Sequence, residues 1–163
     1  MTEERTQEER SRDAELSQCW SFDSAIRPAL SSLDAASIAK FRKAARLQDQ
    51  RGGQEEAANL YRELIRERSE FFAPYVSLAA LLGLKGQIAE AEQLLRKAVE
   101  IEPTYANAHY FLALCLRDQG YAKKAAVEFR TALKTGLKSN RLYARLWLVW
   151  HGLGFKYKGQ RDE

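Results

Sequence analysis

Proline occurs three times in this 163-residue chain, glycine nine times, and cysteine and histidine twice each; no run of 18 apolar residues exists. Each shortage excludes something. So little proline and glycine is what an all-helical chain requires. Without a long apolar run, no helix is expected to span a membrane. A disulfide between Cys19 and Cys115 is not expected in a reducing compartment. His109 and His151 have no cysteine or carboxylate at metal-ligand spacing. No glycine loop is built to cradle phosphate. The serines between 21 and 32 stand without a histidine or acid in any triad-like arrangement. The expectation is therefore no catalytic residue, no metal and no cofactor. The opening residues, Met1-Thr2-Glu3-Glu4-Arg5, lack the cationic and apolar blocks of a signal peptide, so a cytoplasmic location is expected.

What is present is mixed charge and ample apolar matter. Hydrophobic residues make up 45% of the chain, enough for one domain with a continuous core. The formal net charge is +4, unevenly spread. Residues 1–20 are acidic, and the chain beyond 106 is basic. Mixed charge on helix faces is ordinarily a solvated exterior. A nucleic-acid binder would show a dense basic stripe with aromatic platforms, so nucleic acid is not an expected partner, nor is a membrane.

The strongest signal is a 34-residue period with copies at 38–71, 72–105 and 106–139. The eighth position is Ala45, Ala79 and Ala113; the twentieth is Ala57, Ala91 and Ala125. Small side chains there let two helices of a hairpin approach closely. The fifteenth is Gly52, Gly86 and Gly120, suited to the left-handed conformation that ends a helix. The twenty-fourth is Tyr61, Leu95 and Phe129, large enough to fill the gap between hairpins, and the twenty-seventh is Leu64, Ala98 and Ala132. Pro103 stops the second copy's last helix.

A period of this length indicates stacked helix pairs, and the five positions resemble the tetratricopeptide repeat family over residues 38–139. The resemblance implies an all-α fold, an α-solenoid of antiparallel helix hairpins wound as a right-handed superhelix. Gln48 and Gln54 replace the Leu82 and Ile88 of the second copy, so the first repeat is expected to pack less firmly. Helices are expected at about 34–50, 54–68, 72–85, 88–101, 106–119 and 122–135, with Asp34 as the first N-cap. A repeat domain over 34–151 is thus flanked by a disordered charged tail at 1–18, an apolar linker at 19–33 lying on the domain, and a basic tail at 152–163. The linker's apolar track runs through Trp20, Phe22, Ile26, Leu30 and Leu33, interrupted by Pro28.

In this family the first helix of each pair lines a groove, and the resemblance carries that role to particular positions. It places Arg42, Lys43 and Arg46 at a basic mouth. Val76, Ser77, Ala80 and Leu84 follow in the second repeat, and Asn107, Tyr110, Phe111, Leu114 and Arg117 in the third. Such a groove would take a peptide or helix with apolar residues and an acidic flank. The alternative is that these are ordinary lightly covered positions. Chaperone-binding members clamp a C-terminal carboxylate in slots that here hold Arg42, Arg46, Ser77, Asn107 and Phe111; Phe111 removes a required cation, which excludes that clamp. A further helix at 140–151 continues the phase but has Trp147 where the other copies have alanine, so it ends the stack. Its run through Leu146, Trp147, Leu148, Val149 and Trp150, followed by Phe155, covers more than one turn and cannot all face inward. Either the tail folds back over it or Trp147, Leu148, Trp150 and Phe155 form an interface, with a second copy or with another subunit.

Overall fold

The computed structural model describes residues 26–136 and Ala144. Within residues 26–136 seven helices run α1 Ile26–Ser31, α2 Ala35–Gln48, α3 Gln54–Glu67, α4 Phe72–Leu84, α5 Ile88–Ile101, α6 Ala106–Asp118 and α7 Ala122–Lys134. No strand is found among the described residues. From α2 onward the helices form three hairpins, α2–α3, α4–α5 and α6–α7, each packed on the next. Every helix from α2 to α7 lies within a residue or two of the bounds read from the sequence.

Local chemistry explains the boundaries. Asp34 caps α2: its carboxylate accepts from the Ser37 amide at 2.8 Å and the Ser37 hydroxyl at 3.0 Å. That amide bond, with the Arg68 guanidinium beside it, holds the Asp34 carboxyl far below the usual carboxylate range. Gly52, Gly86 and Gly120 all have positive φ, between 78° and 86°, which is why the fifteenth position is glycine. Pro28, which looks like an interruption in the sequence, sits in the first turn of α1, where its missing N–H costs nothing. Ile26 is buried there, with Leu30 and Leu33 half-buried against the core.

The close-approach alanines are sealed except Ala45, which is half-buried. Ala57, Ala91, Ala98, Ala113, Ala125 and Ala132 have no exposed surface. An aromatic chain links successive repeats: Phe41 meets Phe71 edge-on at 5.2 Å, Phe71 meets Phe72 at 6.3 Å, and Phe72 meets Tyr105 at 4.7 Å. Helix α4 lies centrally, carries no charged residue, and is buried over the whole stretch from Phe72 to Ala79. Beyond Gly136, Ala144 is helical and fully buried.

In repeats two and three the fourth position pins the loop before it. The Tyr75 hydroxyl donates to the Ser69 carbonyl at 3.0 Å, and His109 Nε2 lies 2.8 Å from the Pro103 carbonyl. Both reach back six residues to the same place in the repeat. Hydrogen bonds also resolve the two glutamines of repeat one. Buried Gln48 accepts from the Tyr61 hydroxyl at 2.8 Å, and Gln54 closes the turn by donating to the Gln50 carbonyl at 3.0 Å. Polar pairing thus replaces the apolar contact of the second repeat. Burial pushes the Tyr61 hydroxyl well above its ordinary pKa, so it stays a donor. Tyr61→Phe leaves the Gln48 oxygen without that donor, and a loss of about 1–3 kcal/mol is expected, read as a lower urea midpoint with unchanged slope.

Candidate functional site

A cavity of about 390 Å³ opens between the C-terminal halves of α4 and α6. Ala80, Gly83 and Leu84 form one wall; Phe111, Leu114 and Arg117 form the other; Ile88 and Leu95 of α5 contribute to the lining. The opening exists because α4 places small residues at its ninth and twelfth positions. There Ala80 and Gly83 stand where repeat three has Leu114 and Arg117, and repeat one has Arg46 and Asp49. A Cβ added at Gly83 would meet nothing within 4 Å. Glycine inside a helix costs about 1 kcal/mol against alanine, and here the missing side chain leaves empty space. Leu84 on the rim is 86% exposed, while Phe111 and Leu114 are half-buried.

Arg117 and Asp118 line the cavity, and the other charged groups stand at its edge. Arg117 Nε donates to Asp118 at 2.6 Å, so that rim carries a neutralised pair. The Lys85 ammonium is matched by Glu55. Glu92 is buried and is answered by Arg96 at 2.5 Å and by the Gln119 amide. Cys115 borders the cavity as a buried free thiol. Burial first, then the negative charges of Asp118 and Glu92, pushes its pKa up to about 11, so it stays protonated and unreactive at neutral pH. Among the described residues no three His, Cys, Asp or Glu side chains converge to hold a metal ion. None of the described helices is long and apolar enough to cross a membrane.

The tetratricopeptide repeat family matches residues 84–146, spanning the cavity's second wall. That stretch carries tetratricopeptide repeats. The type IV pilus assembly protein PilF of Pseudomonas aeruginosa is 33% identical over 96 residues, which is 59% of this chain and 36% of that protein. The chain thus spans about a third of that relative's length. The crystal structure of MamA superposes with a TM-score of 0.62, covering 82% of this chain and 80% of that one. At 20% identity that likeness is one of fold.

Within the tetratricopeptide frame, the expected groove residues divide. Ala80, Leu84, Phe111, Leu114 and Arg117 come together around the cavity. Arg42, Lys43 and Arg46 are exposed on α2. Asn107 is half-buried, its amide 3.3 Å from the Tyr105 hydroxyl. Three positions are corrected. Val76 is 1% exposed, within the sealed first half of α4. Ser77 is 4% exposed, in the same sealed half of α4. Tyr110 is 6% exposed because its ring turns toward the hairpin core, 5.9 Å from Phe129, while Phe111 takes the open side. The apolar strip is therefore shorter than the sequence suggested and is concentrated in one cleft. Ile88 and Leu95 were missed as lining: the pattern gives Leu95 to the gap between hairpins, and the equivalents of Ile88 are Gln54 and Ala122, which mark no shared role. Trp147, Leu148, Trp150 and Phe155 lie outside the described residues.

His109 does more than pack. Nδ1 lies 2.7 Å from a Glu128 carboxylate oxygen while Nε2 faces the Pro103 carbonyl. Two acceptors require both ring nitrogens to donate, which is the imidazolium form. Burial opposes that charge, but the bonds to Glu128 and Pro103 and the carboxylate's charge outweigh it, and the pKa lies above its ordinary value.

Proposed function

We propose that this protein is a non-enzymatic adaptor that holds an apolar segment of a partner protein in the cleft between α4 and α6. Tetratricopeptide repeats support protein–protein binding in general; the observation that narrows it here is the cavity left by Ala80 and Gly83. Its volume suits one or two large apolar side chains of an anchor. Phe111 and Arg117 on its wall are residue types enriched at interfaces. A second reading, an assembly factor that shields a client subunit, is favoured by the likeness to a protein named for pilus assembly.

Placing a photo-crosslinking phenylalanine analogue at Leu84 tests the cleft in native cells. Discrete adducts are expected there and not at Val127, which is 55% exposed on the outer side of α7. Gly83→Leu fills open space with a better helix former, so the fold is kept while the adducts disappear. Equal adducts at both positions, or adducts indifferent to Gly83→Leu, would overturn the reading.

A further inference from the structure

The cations of α2 are not all alike. The helix carries Lys40, Arg42, Lys43 and Arg46 and no carboxylate. Lys40 is answered by Glu63 at 3.3 Å and Glu67 at 2.6 Å, and Lys43 by Glu56 at 2.8 Å. All three acids belong to α3, the other helix of the same hairpin. Arg42 and Arg46, one turn apart on a shared face, have no carboxylate partner among the described residues. Arg46 Nε donates to the Arg42 carbonyl at 3.4 Å, which leaves its terminal nitrogens for a ligand. Exposed Asp49, one turn on, subtracts a single charge and leaves the pair net positive.

Repeat register sets these arginines against the cleft. Arg46, Ala80 and Leu114 share the ninth position, so one row runs from a cation to the two facing walls of the cavity. At the far wall Arg117 is neutralised by Asp118, and at the near rim Lys85 by Glu55. Among the described residues, attraction for an anion therefore comes from one side of the cleft, the α2 side.

We infer that the partner segment is bound with a fixed polarity, an apolar anchor in the α4–α6 cleft and acidic side chains over Arg42 and Arg46. This rests on the cleft reading above and adds direction and spacing to it. Neighbouring packed helices lie about 8–10 Å apart, so the middle of the cleft is roughly 15 Å from α2. That distance is four or five residues of extended chain at about 3.3 Å each, or about ten residues of helix at 1.5 Å each. The occupant is thus an acidic peptide whose anchor and acids are separated by that interval. A polyanion such as a nucleic acid has no use for an apolar cavity and is disfavoured.

Fluorescence anisotropy on the full chain tests this with synthetic peptides of equal length. Each carries a Trp-Leu anchor, a spacer of four alanine and serine residues, and either Glu-Glu or Lys-Lys, in both chain orders. At least one glutamate peptide is expected to bind about tenfold more tightly than its lysine counterpart, the worth of two exposed ion pairs. An Arg42→Glu, Arg46→Glu double variant, substituted only at exposed positions, is expected to reverse that preference. Gly83→Leu is expected to abolish binding of both. A preference unchanged by the charge reversal, with Gly83→Leu still blocking, would overturn the polarity and leave the cleft standing. Binding indifferent to all three substitutions would overturn both. Failure of every anchored peptide to bind at about 1 mM, or tighter binding of a fluorescent oligonucleotide that depends on Arg42 and Arg46, would also overturn the inference.

Discussion

Phe129→Ala is expected to cost about 3–5 kcal/mol, the range for emptying a sealed aromatic site. The Phe129 ring has no exposed surface and sits 5.9 Å from Tyr110 across the third hairpin. Whole domains are stable by only about 5–15 kcal/mol. In a stack each repeat touches only its neighbours, so the loss should fall first on α6 and α7. Hydrogen exchange is expected to lose protection there while α2 and α3 retain theirs. Because α6 supplies Phe111 and Leu114, the cleft loses a wall and crosslinking at Leu84 should vanish with it. Uniform loss of protection in all three hairpins would show that the stack unfolds as one unit.

The second large effect concerns pH. In the folded protein the His109 pKa lies above its ordinary value of about 6.5. A group raised in this way contributes fully below the unfolded pKa. Its contribution is lost as pH rises through the folded pKa. Stability is therefore expected to fall between about pH 6.5 and the folded value as the imidazolium between Glu128 and Pro103 loses its proton. His109→Phe copies the residue that repeat one has at the same position, Phe41, and so keeps the shape while removing the charge. It is expected to cost about 2–3 kcal/mol at pH 6, the scale of hydrogen bonds to charged groups. The pH slope should flatten in the variant. Urea midpoints measured from pH 6 to pH 9 check both; an equal slope in the two proteins would assign it to other groups.

The backbone of this fold was legible because repetition multiplies weak signals. One Gly52 is an ambiguous turn residue, whereas Gly52, Gly86 and Gly120 in phase identify a left-handed helix end, and all three have it. The same logic located six helices. Single-copy features were harder to read. Pro28 looked like a break because nothing marked Ile26 as the start of a helix. Gln48 and Gln54 looked like weaker packing because the sequence does not show that Tyr61 and the Gln50 carbonyl stand within reach. The groove was legible by row but not by depth. Tyr110 and Phe111 are adjacent and similar in size, yet one turns toward Phe129 and the other lines the cleft. Period assigns a residue to a face; how far its side chain reaches depends on neighbours that the pattern does not supply.

Helix α4 has a consequence for handling the molecule in pieces. It has no charge to keep it in water, and its flanks, Phe71 against Phe41 and Phe72 against Tyr105, are claimed by repeats on both sides. A fragment beginning at Phe72 would bare a greasy aromatic edge that the first hairpin normally covers. Such a truncation should precipitate or clump rather than stay monodisperse. Shortened versions for biophysics should therefore keep the leading repeat.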